Sequence, residues 1–136
     1  MTQTISIPRT LANRLLTLAQ LSPDKEICGL ISGDSNNKYQ VYPIDNIADK
    51  PNCIFEMNPQ QQIEAFKNMR QSQQTLFAIY HSHPASDALP SARDLHDSAY
   101  AEALNIIISL NTKGVLDMRG YFFQQGKAEV VELRIQ

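Results

Sequence analysis

Hydrophobic residues along the chain alternate between the spacing of β-strands and that of α-helices. Leu11, Leu15 and Leu18 recur at the i, i+4, i+7 positions of one helical face, directly after Pro8, which can open a helix. Apolar runs of strand type occur at 4–7, 26–33, 38–48, 75–81, 105–110, 118–123 and 128–135. The pattern predicts an α/β fold in which a single mixed β-sheet is flanked by helices, with 26–33 as a central strand.

A second helix is marked by its start. Asn58 can act as N-cap, Pro59 then occupies the first helical position, and Gln61 stands at the third, which approximates a capping box. We expect Ile63, Phe66 and Met69 to form its buried stripe. A third helix is predicted to begin at Ser91, after a loop rich in proline and serine.

Size and charge exclude several classes of protein. The 136 residues suffice for one domain, 1–136, and the formal net charge of −2 gives no basic surface for nucleic acid or an anionic membrane. No stretch approaches the ~20 apolar residues of a membrane-spanning helix, and the N-terminus does not resemble a signal peptide, so we expect a cytosolic protein. Cys28 and Cys53 lie in apolar surroundings and are predicted to be buried, reduced thiols.

Two of the three histidines stand one residue apart, at the end of the strand predicted for 75–81. In an extended segment residues i and i+2 face the same side, so His81 and His83 can present their imidazoles together while Ser82 points away. Pro84 biases His83 toward the extended conformation. Such a pair is suited to hold a transition metal.

Ser91 and Asp94 follow at the start of the third predicted helix. By themselves they form an S-x-x-D capping pattern, which is a structural role. Asp94 is also close enough to the helix start for its carboxylate to point back toward the histidines. Two imidazoles with one carboxylate are a common catalytic zinc set, which leaves a fourth position for water.

The whole constellation resembles the signature of the JAMM or MPN+ zinc metalloproteases, a family that includes deubiquitinating enzymes. That signature is a glutamate on an early strand followed by H-[ST]-H-P-x6-S-x-x-D, and the chain matches it with Glu26, the segment 81–84, Ser91 and Asp94. The stretch 45–59 is similar to the family's Asn, Pro, Phe and second Pro landmarks. The resemblance covers about residues 5 to 110 and implies the family's cytidine-deaminase-like JAMM/MPN fold.

The resemblance also implies a role for each residue. His81, His83 and Asp94 would hold Zn²⁺, Glu26 would hydrogen-bond the water on the metal, and Ser91 would help to stabilise the oxyanion. Nothing in the residue pattern alone selects Glu26 over Glu56 or Glu64; without the family match, Glu26 would be interpreted as a strand-end residue paired with Lys25.

Three polar residues near the signature have other interpretations. Asp87 is interpreted as a solvated turn residue, with a spare ligand or substrate contact as the alternative. His96 should face away from Asp94, because two residues rotate a helix by about 200°. Asp97 shares the face of Asp94 and is a candidate to orient one of the histidines.

Family members of this kind cleave amide or isopeptide bonds after the Gly-Gly tail of ubiquitin-like proteins. We therefore expect a small prokaryotic-type peptidase acting on a ubiquitin-like or sulfur-carrier protein or its conjugate, with 45–53 and 85–90 as walls of the cleft. The alternatives are a non-catalytic MPN-type scaffold and another zinc hydrolase such as a deaminase, whose H-x-E and P-C-x-x-C motifs the chain lacks. The oligomeric state is left open.

Overall fold

A mixed β-sheet forms the centre of the structure, a computed structural model that describes residues 2–96, 102–111 and 117–136. Within these residues the sheet has seven strands in the order β1-β7-β6-β5-β4-β2-β3. The strands are β1 (Gln3–Ile7), β2 (Cys28–Gly33), β3 (Tyr39–Ile44), β4 (Thr75–His83), β5 (Leu104–Ser109), β6 (Asp117–Gln124) and β7 (Lys127–Ile135), and the helices are α1 (Arg9–Gln20), α2 (Pro59–Gln71) and α3 (Ala92–His96).

The strands pair in both directions, which confirms the predicted mixed sheet. β1 runs parallel to β7 and β4 parallel to β5, whereas the other neighbours are antiparallel. The β6–β7 hairpin turns at Gln125 and Gly126, both with positive φ, as the two-residue turns that suit twisted strands require. The strand predicted for 26–33 begins at Cys28 and lies inside the sheet, next to the edge strand β3.

The two long helices cover opposite faces of the sheet. α1 packs with Leu11, Leu15 and Ala19 against a cluster that includes Tyr80 of β4, whereas α2 packs with Ala65 and Met69 against a cluster that includes Ile79. Because successive side chains of a strand point to opposite faces, His81 and His83 share the face of Ile79. The sheet thus directs both histidines to the side covered by α2.

Two burial predictions were wrong. In α2 the side chain of Ile63 is 61% exposed, and the buried positions are Ala65 and Met69, with Phe66 half-buried. The small Ala65 lets the helix approach the sheet along the 65–69 line, so the apolar stripe is rotated from the one predicted. Cys53 is exposed rather than buried, since its segment is a surface loop.

Some predictions fall outside the described residues. The position of Asp97 and the orientation of the His96 side chain are among them. Among the helices described, none is long and apolar enough to cross a membrane.

The close pairing of β2 and β4 depends on Gly29. A Cβ atom at this position would overlap the Tyr80 hydroxyl and lie 2.6 Å from the Tyr42 carbonyl oxygen. We expect Gly29→Ala to lower the free energy of unfolding by about 1–3 kcal/mol, as measured by urea denaturation, because the buried tyrosine must move. Gly126→Asn is the control, because asparagine tolerates positive φ and a Cβ atom there would have no neighbour within 4 Å. Wild-type stability of Gly29→Ala would contradict this packing.

Candidate metal centre

His81 and His83 are the buried end of β4. The exposed fractions of the two residues are 1% and 4%, and their Nε2 atoms lie 3.1 Å apart. His81 stands opposite Cys28 of β2 and Ile107 of β5, so strands on both sides fix its backbone. The two imidazoles therefore lie side by side on one face of β4, as predicted.

Asp94 reaches the histidines from the first turn of α3. Its backbone N–H donates to the Ser91 hydroxyl oxygen at 3.0 Å, and its carboxylate oxygen Oδ2 accepts the Ser91 N–H at 2.9 Å. This reciprocal capping turns the carboxylate back over the start of the helix. The same Oδ2 atom lies 3.2 Å from His81 Nε2 and 3.3 Å from His83 Nε2.

The three atoms therefore form a nearly equilateral triangle with edges of 3.1, 3.2 and 3.3 Å. Zinc binds nitrogen and carboxylate oxygen at about 2.0–2.2 Å, so two ligands of a tetrahedral ion are separated by roughly 3.3–3.5 Å. The triangle has the dimensions of one face of such a tetrahedron. The fourth vertex is then free for water or substrate.

The hydrogen bond of His83 leaves its Nε2 atom available to bind a metal. Its Nδ1 lies 2.8 Å from the backbone carbonyl oxygen of Asp87. A carbonyl only accepts, so Nδ1 carries a proton. Burial lowers the pKa of His83, but its contacts with Asp94 and with the Asp87 carbonyl outweigh burial and raise it. When the ring is neutral, Nε2 has a free lone pair that faces His81 and Asp94. Hydrogen bonds of this kind orient histidine ligands in metal sites.

The 84–90 loop, which contains the Asp87 carbonyl, is fixed by hydrogen bonds from side chains of β5 and β6. Ser109 donates its hydroxyl proton to the Ser86 carbonyl at 2.7 Å, and the Tyr121 hydroxyl donates to the Ala88 carbonyl at the same distance. Asp87 itself is exposed, as predicted, and its carboxylate accepts from the side chain of Asn111. The Asp87 side chain is therefore turned to a surface contact while its backbone serves the site.

His81 is held by a different interaction. Its Nδ1 is buried and has no hydrogen-bond partner within the part of the chain that is described. Its ring instead stacks on Phe55, with ring centroids 4.5 Å apart and an interplanar angle of 27°. Burial lowers the pKa of His81, against the opposing influence of Asp94, and this favours the neutral imidazole that metals bind.

Glu26 lies beside the triangle, two residues before β2 begins. Its side chain is buried, with the residue 5% exposed, and it groups with His81 and His83 so that one ligand atom of each lies within 4.8 Å of the others. Its Oε1 atom is buried without a hydrogen-bond partner among the described residues. A buried carboxylate oxygen that lacks a partner marks a place for a water molecule or a cation.

Ser82 connects the glutamate segment to the histidine strand. Its side chain points away from the metal face, as predicted, and its hydroxyl accepts the Ile27 N–H at 2.9 Å. Its own N–H donates to the Ile27 carbonyl at 3.1 Å. Glu26 is thereby fixed relative to the histidines through its neighbour in sequence.

The two carboxyl groups have pKa values shifted in opposite directions. Burial, with a smaller contribution from Asp94 and against the influence of His83, raises the pKa of Glu26 to about 7. Burial acts in the same sense on Asp94, but its close contacts with His81 and His83 outweigh burial and hold that pKa well below its usual range. Carboxyl pairs separated in this way are typical of acid–base sites.

The donor set fits a zinc ion. Two imidazole nitrogens, a carboxylate with a lowered pKa and a second carboxyl group with an unpartnered oxygen are the ligand types that zinc takes in catalytic sites. Burying these groups together is unfavourable unless a cation or protons compensate the lone pairs that face each other. The structure brings together all five residues singled out from the sequence.

Among the supports of this centre that sequence reasoning missed are the Asp87 carbonyl, the Phe55 ring and the side chain of Asn46, whose Nδ2 group donates to the Glu26 carbonyl. A backbone carbonyl leaves no signal in residue identity. Asn46 and Phe55 did carry a signal, since both belong to the stretch 45–59 that is similar to the family's landmarks, but their contacts could not be deduced from spacing.

Comparison with known proteins gives relatives of this chain. A desampylase from Haloferax volcanii is 29% identical over 89 residues, which are 64% of this chain and 64% of that protein. A desampylase from Pyrococcus furiosus is 30% identical over 82% of this chain and 76% of its own length. A CysO-cysteine peptidase from Mycobacterium tuberculosis is 24% identical over 85% of this chain and 80% of its own length.

Solved structures agree with the fold. A protein from Desulfitobacterium hafniense superposes with a TM-score of 0.85 at 27% identity, covering 98% of this chain and 93% of its own. A JAB1/MPN domain protein from Archaeoglobus fulgidus superposes with a TM-score of 0.62 at 21% identity, covering 98% and 97%. The family model described as prokaryotic homologs of the JAB domain matches residues 8–121, and the chain belongs to this family.

Proposed function

We propose that residues 1–136 form one zinc-dependent peptidase domain. It hydrolyses an amide or isopeptide bond after the C-terminal Gly-Gly of a ubiquitin-like, sulfur-carrier-type protein or its conjugate. The observation that carries the proposal is the 3.1–3.3 Å triangle of His81, His83 and Asp94 with the buried Glu26 beside it.

In this proposal His81 Nε2, His83 Nε2 and Asp94 Oδ2 hold the metal. Glu26 is the competing third ligand, because it groups with the same two histidines. Asp94 is favoured for two reasons. Its Oδ2 atom lies 3.2 and 3.3 Å from the two Nε2 atoms, close to the separation between two ligands of one tetrahedral zinc ion. Its capping contacts with Ser91 also fix it in that position.

Bound there, zinc would supply Lewis acidity toward the attacking water and the scissile carbonyl. Glu26 takes the proton of the attacking water and later delivers it to the leaving amine. Ser91 accepts the Asp94 N–H with its oxygen, so its own O–H proton is available to donate to the oxyanion that develops on the carbonyl. Helix capping and catalysis thus use different sides of one hydroxyl group.

The substrate class is supported by the relatives, which are named desampylase and CysO-cysteine peptidase and act on conjugates of ubiquitin-like proteins. A thin, extended tail suits a cleft beside a free strand edge, and β3 is such an edge within the described sheet. The segments 45–53 and 85–90 flank the site, and each exposes one large apolar side chain, Ile47 and Leu89. These are the proposed walls of the cleft.

A non-catalytic scaffold would not need this arrangement of buried polar groups. Keeping two imidazoles and two carboxyl groups buried together is unfavourable without a bound metal ion. This supports a catalytic metal site over a non-catalytic scaffold. The free thiols of Cys28 and Cys53 suit a reducing compartment and support a cytoplasmic location.

Removal of one ligand tests the metal assignment. Wild-type protein purified without an affinity tag should contain about one zinc per chain by elemental analysis, and His83→Ala and Asp94→Ala should lose it on dialysis because two ligands hold the ion weakly. Asp87→Ala is the control and should keep its zinc, because only the backbone of Asp87 contacts His83. Zinc retained in Asp94→Ala but lost in Glu26→Ala would show Glu26 to be the third ligand.

Replacement of the proposed base should separate binding from chemistry. Glu26→Gln should keep its zinc but lose cleavage of a Gly-Gly-tailed carrier fusion by at least about 100-fold, because an amide cannot accept the proton. Glu56→Gln, at an exposed glutamate, is the matched control and should cleave normally. Undiminished cleavage by Glu26→Gln would place the base elsewhere.

The Ser91 hydroxyl can be tested by a pair of variants. Ser91→Ala should lower kcat by about 100-fold through loss of an oxyanion donor, and should cost about 1 kcal/mol of stability through loss of the N-cap. Ser91→Thr keeps a hydroxyl for both roles and should recover most of the activity. If kcat, measured on the same carrier fusion, were unchanged in Ser91→Ala, the hydroxyl would be a cap alone.

A further inference from the structure

Asn46 uses the full hydrogen-bonding capacity of its side chain. Its Nδ2 group donates to the carbonyl oxygens of Glu26 and Ile54, each at 3.0 Å, and its Oδ1 atom accepts the N–H groups of Ala48 and Glu56, also at 3.0 Å. Two donors and two acceptors exhaust what an asparagine amide can offer. The residue is half-buried and lies immediately after β3, outside the regular sheet.

Three of these four bonds close the segment 46–57, which we call the 46–57 loop. Asn46 and Met57 form an isolated antiparallel bridge at its base, and the Ile47 N–H donates to the Glu56 carbonyl at 2.8 Å. The Asn46 amide fills the interior of the loop and satisfies backbone groups there. The loop is therefore a folded unit organised around one side chain.

The fourth bond joins this loop to Glu26. The carbonyl of Glu26 accepts from Asn46, and the Glu26 N–H donates to the Pro51 carbonyl at 2.7 Å, so both backbone polar groups of Glu26 are bound by the 46–57 loop. The Oε1 atom of the glutamate has no partner among the described residues. The position of the carboxylate is thus set through the backbone.

The same loop also carries Phe55, whose ring stacks on His81. His81 is the histidine whose Nδ1 has no hydrogen-bond partner in the described part of the chain, so this stacking is its main lateral restraint. One loop therefore contacts the proposed base through Pro51 and Asn46 and a proposed ligand through Phe55. The Asn46 amide ties these contacts together.

We propose that Asn46 is a positioning residue for the reaction: through its four hydrogen bonds it holds Glu26 at the distance from His81 and His83 that proton transfer requires. The inference rests on the proposed function, in which Glu26 moves the proton. Asn46 acts through Glu26 and touches neither substrate nor metal. Its loss should therefore lower kcat far more than it changes KM or zinc content.

The test uses the donor side of the amide. Asn46→Asp keeps the acceptor for Ala48 and Glu56 but turns an oxygen toward the carbonyls of Glu26 and Ile54, whereas Asn46→Ala removes all four bonds. Both variants should keep about one zinc per chain and lose about 10- to 100-fold in kcat on the Gly-Gly-tailed carrier fusion, the range found when a supporting contact of a metal site is removed. A Glu26→Gln/Asn46→Asp double variant should be no slower than Glu26→Gln, because the effect passes through Glu26.

Asn58→Ala is the matched control. Asn58 directly follows the 46–57 loop and caps α2 by accepting the Gln61 N–H at 3.1 Å, so its loss should destabilise the helix without removing a contact of Glu26. Its kcat should stay within about threefold of wild type. An equal loss of kcat in Asn58→Ala, or an additional loss in the double variant, would reduce Asn46 to a general stabiliser and overturn the proposal.

Amide hydrogen exchange of the metal-free protein provides a readout independent of activity. In Asn46→Asp the amide of Glu26, which donates to the Pro51 carbonyl of the loop, should exchange at least about tenfold faster, while those of β6 and β7 keep wild-type protection. Wild-type protection at Glu26 would overturn the proposal even if no substrate were found. Failure of the wild-type enzyme to cleave any carrier fusion would instead count against the proposed function, so the two failures are distinct.

Discussion

Three lone-pair-bearing atoms lie within 3.3 Å of one another in a buried pocket, and the rest of the site follows from the need to compensate them. When both imidazoles are neutral and carry their protons on Nδ1, the Nε2 atoms of His81 and His83 and the Oδ2 atom of Asp94 are all acceptors and cannot satisfy one another. A single small cation satisfies all three at once. The sheet, the capped turn of α3 and the 84–90 loop are the means by which these atoms are held together.

Each element contributes a restraint suited to its geometry. β4 places its two histidines on one face through the period of two of a strand, and the reciprocal cap of α3 turns Asp94 toward them. Contacts from β5 and β6 hold the loop that orients His83. The 46–57 loop supplies what the sheet cannot, because Glu26 precedes β2 and its backbone groups need partners outside the ladder. Several elements thus hold the metal side of the site, and we propose that the glutamate side is held through Asn46.

Local signals in the sequence predicted much of this arrangement. The alternation of His81, Ser82 and His83 and the Ser91–Asp94 cap follow from short-range periodicity, and both are present in the structure. Predictions that depended on tertiary packing were weaker. The buried stripe of α2 was misplaced at Ile63, because the large residue was preferred over Ala65, whose small size allows close approach. The burial of Cys53 was wrong because apolar neighbours do not reveal that a segment loops over the surface. The supports from Asp87 and Phe55 depend on a backbone carbonyl and on a contact between the 46–57 loop and β4, which sequence spacing does not encode.

A crystal structure of the zinc-loaded protein, with anomalous differences recorded at the zinc absorption edge, would show which side chains hold the metal. We expect one strong peak about 2.0–2.2 Å from His81 Nε2, His83 Nε2 and Asp94 Oδ2, with Glu26 outside bonding distance and facing the fourth position. A peak ligated by Glu26 in place of Asp94, or zinc bound only at the protein surface, would contradict it.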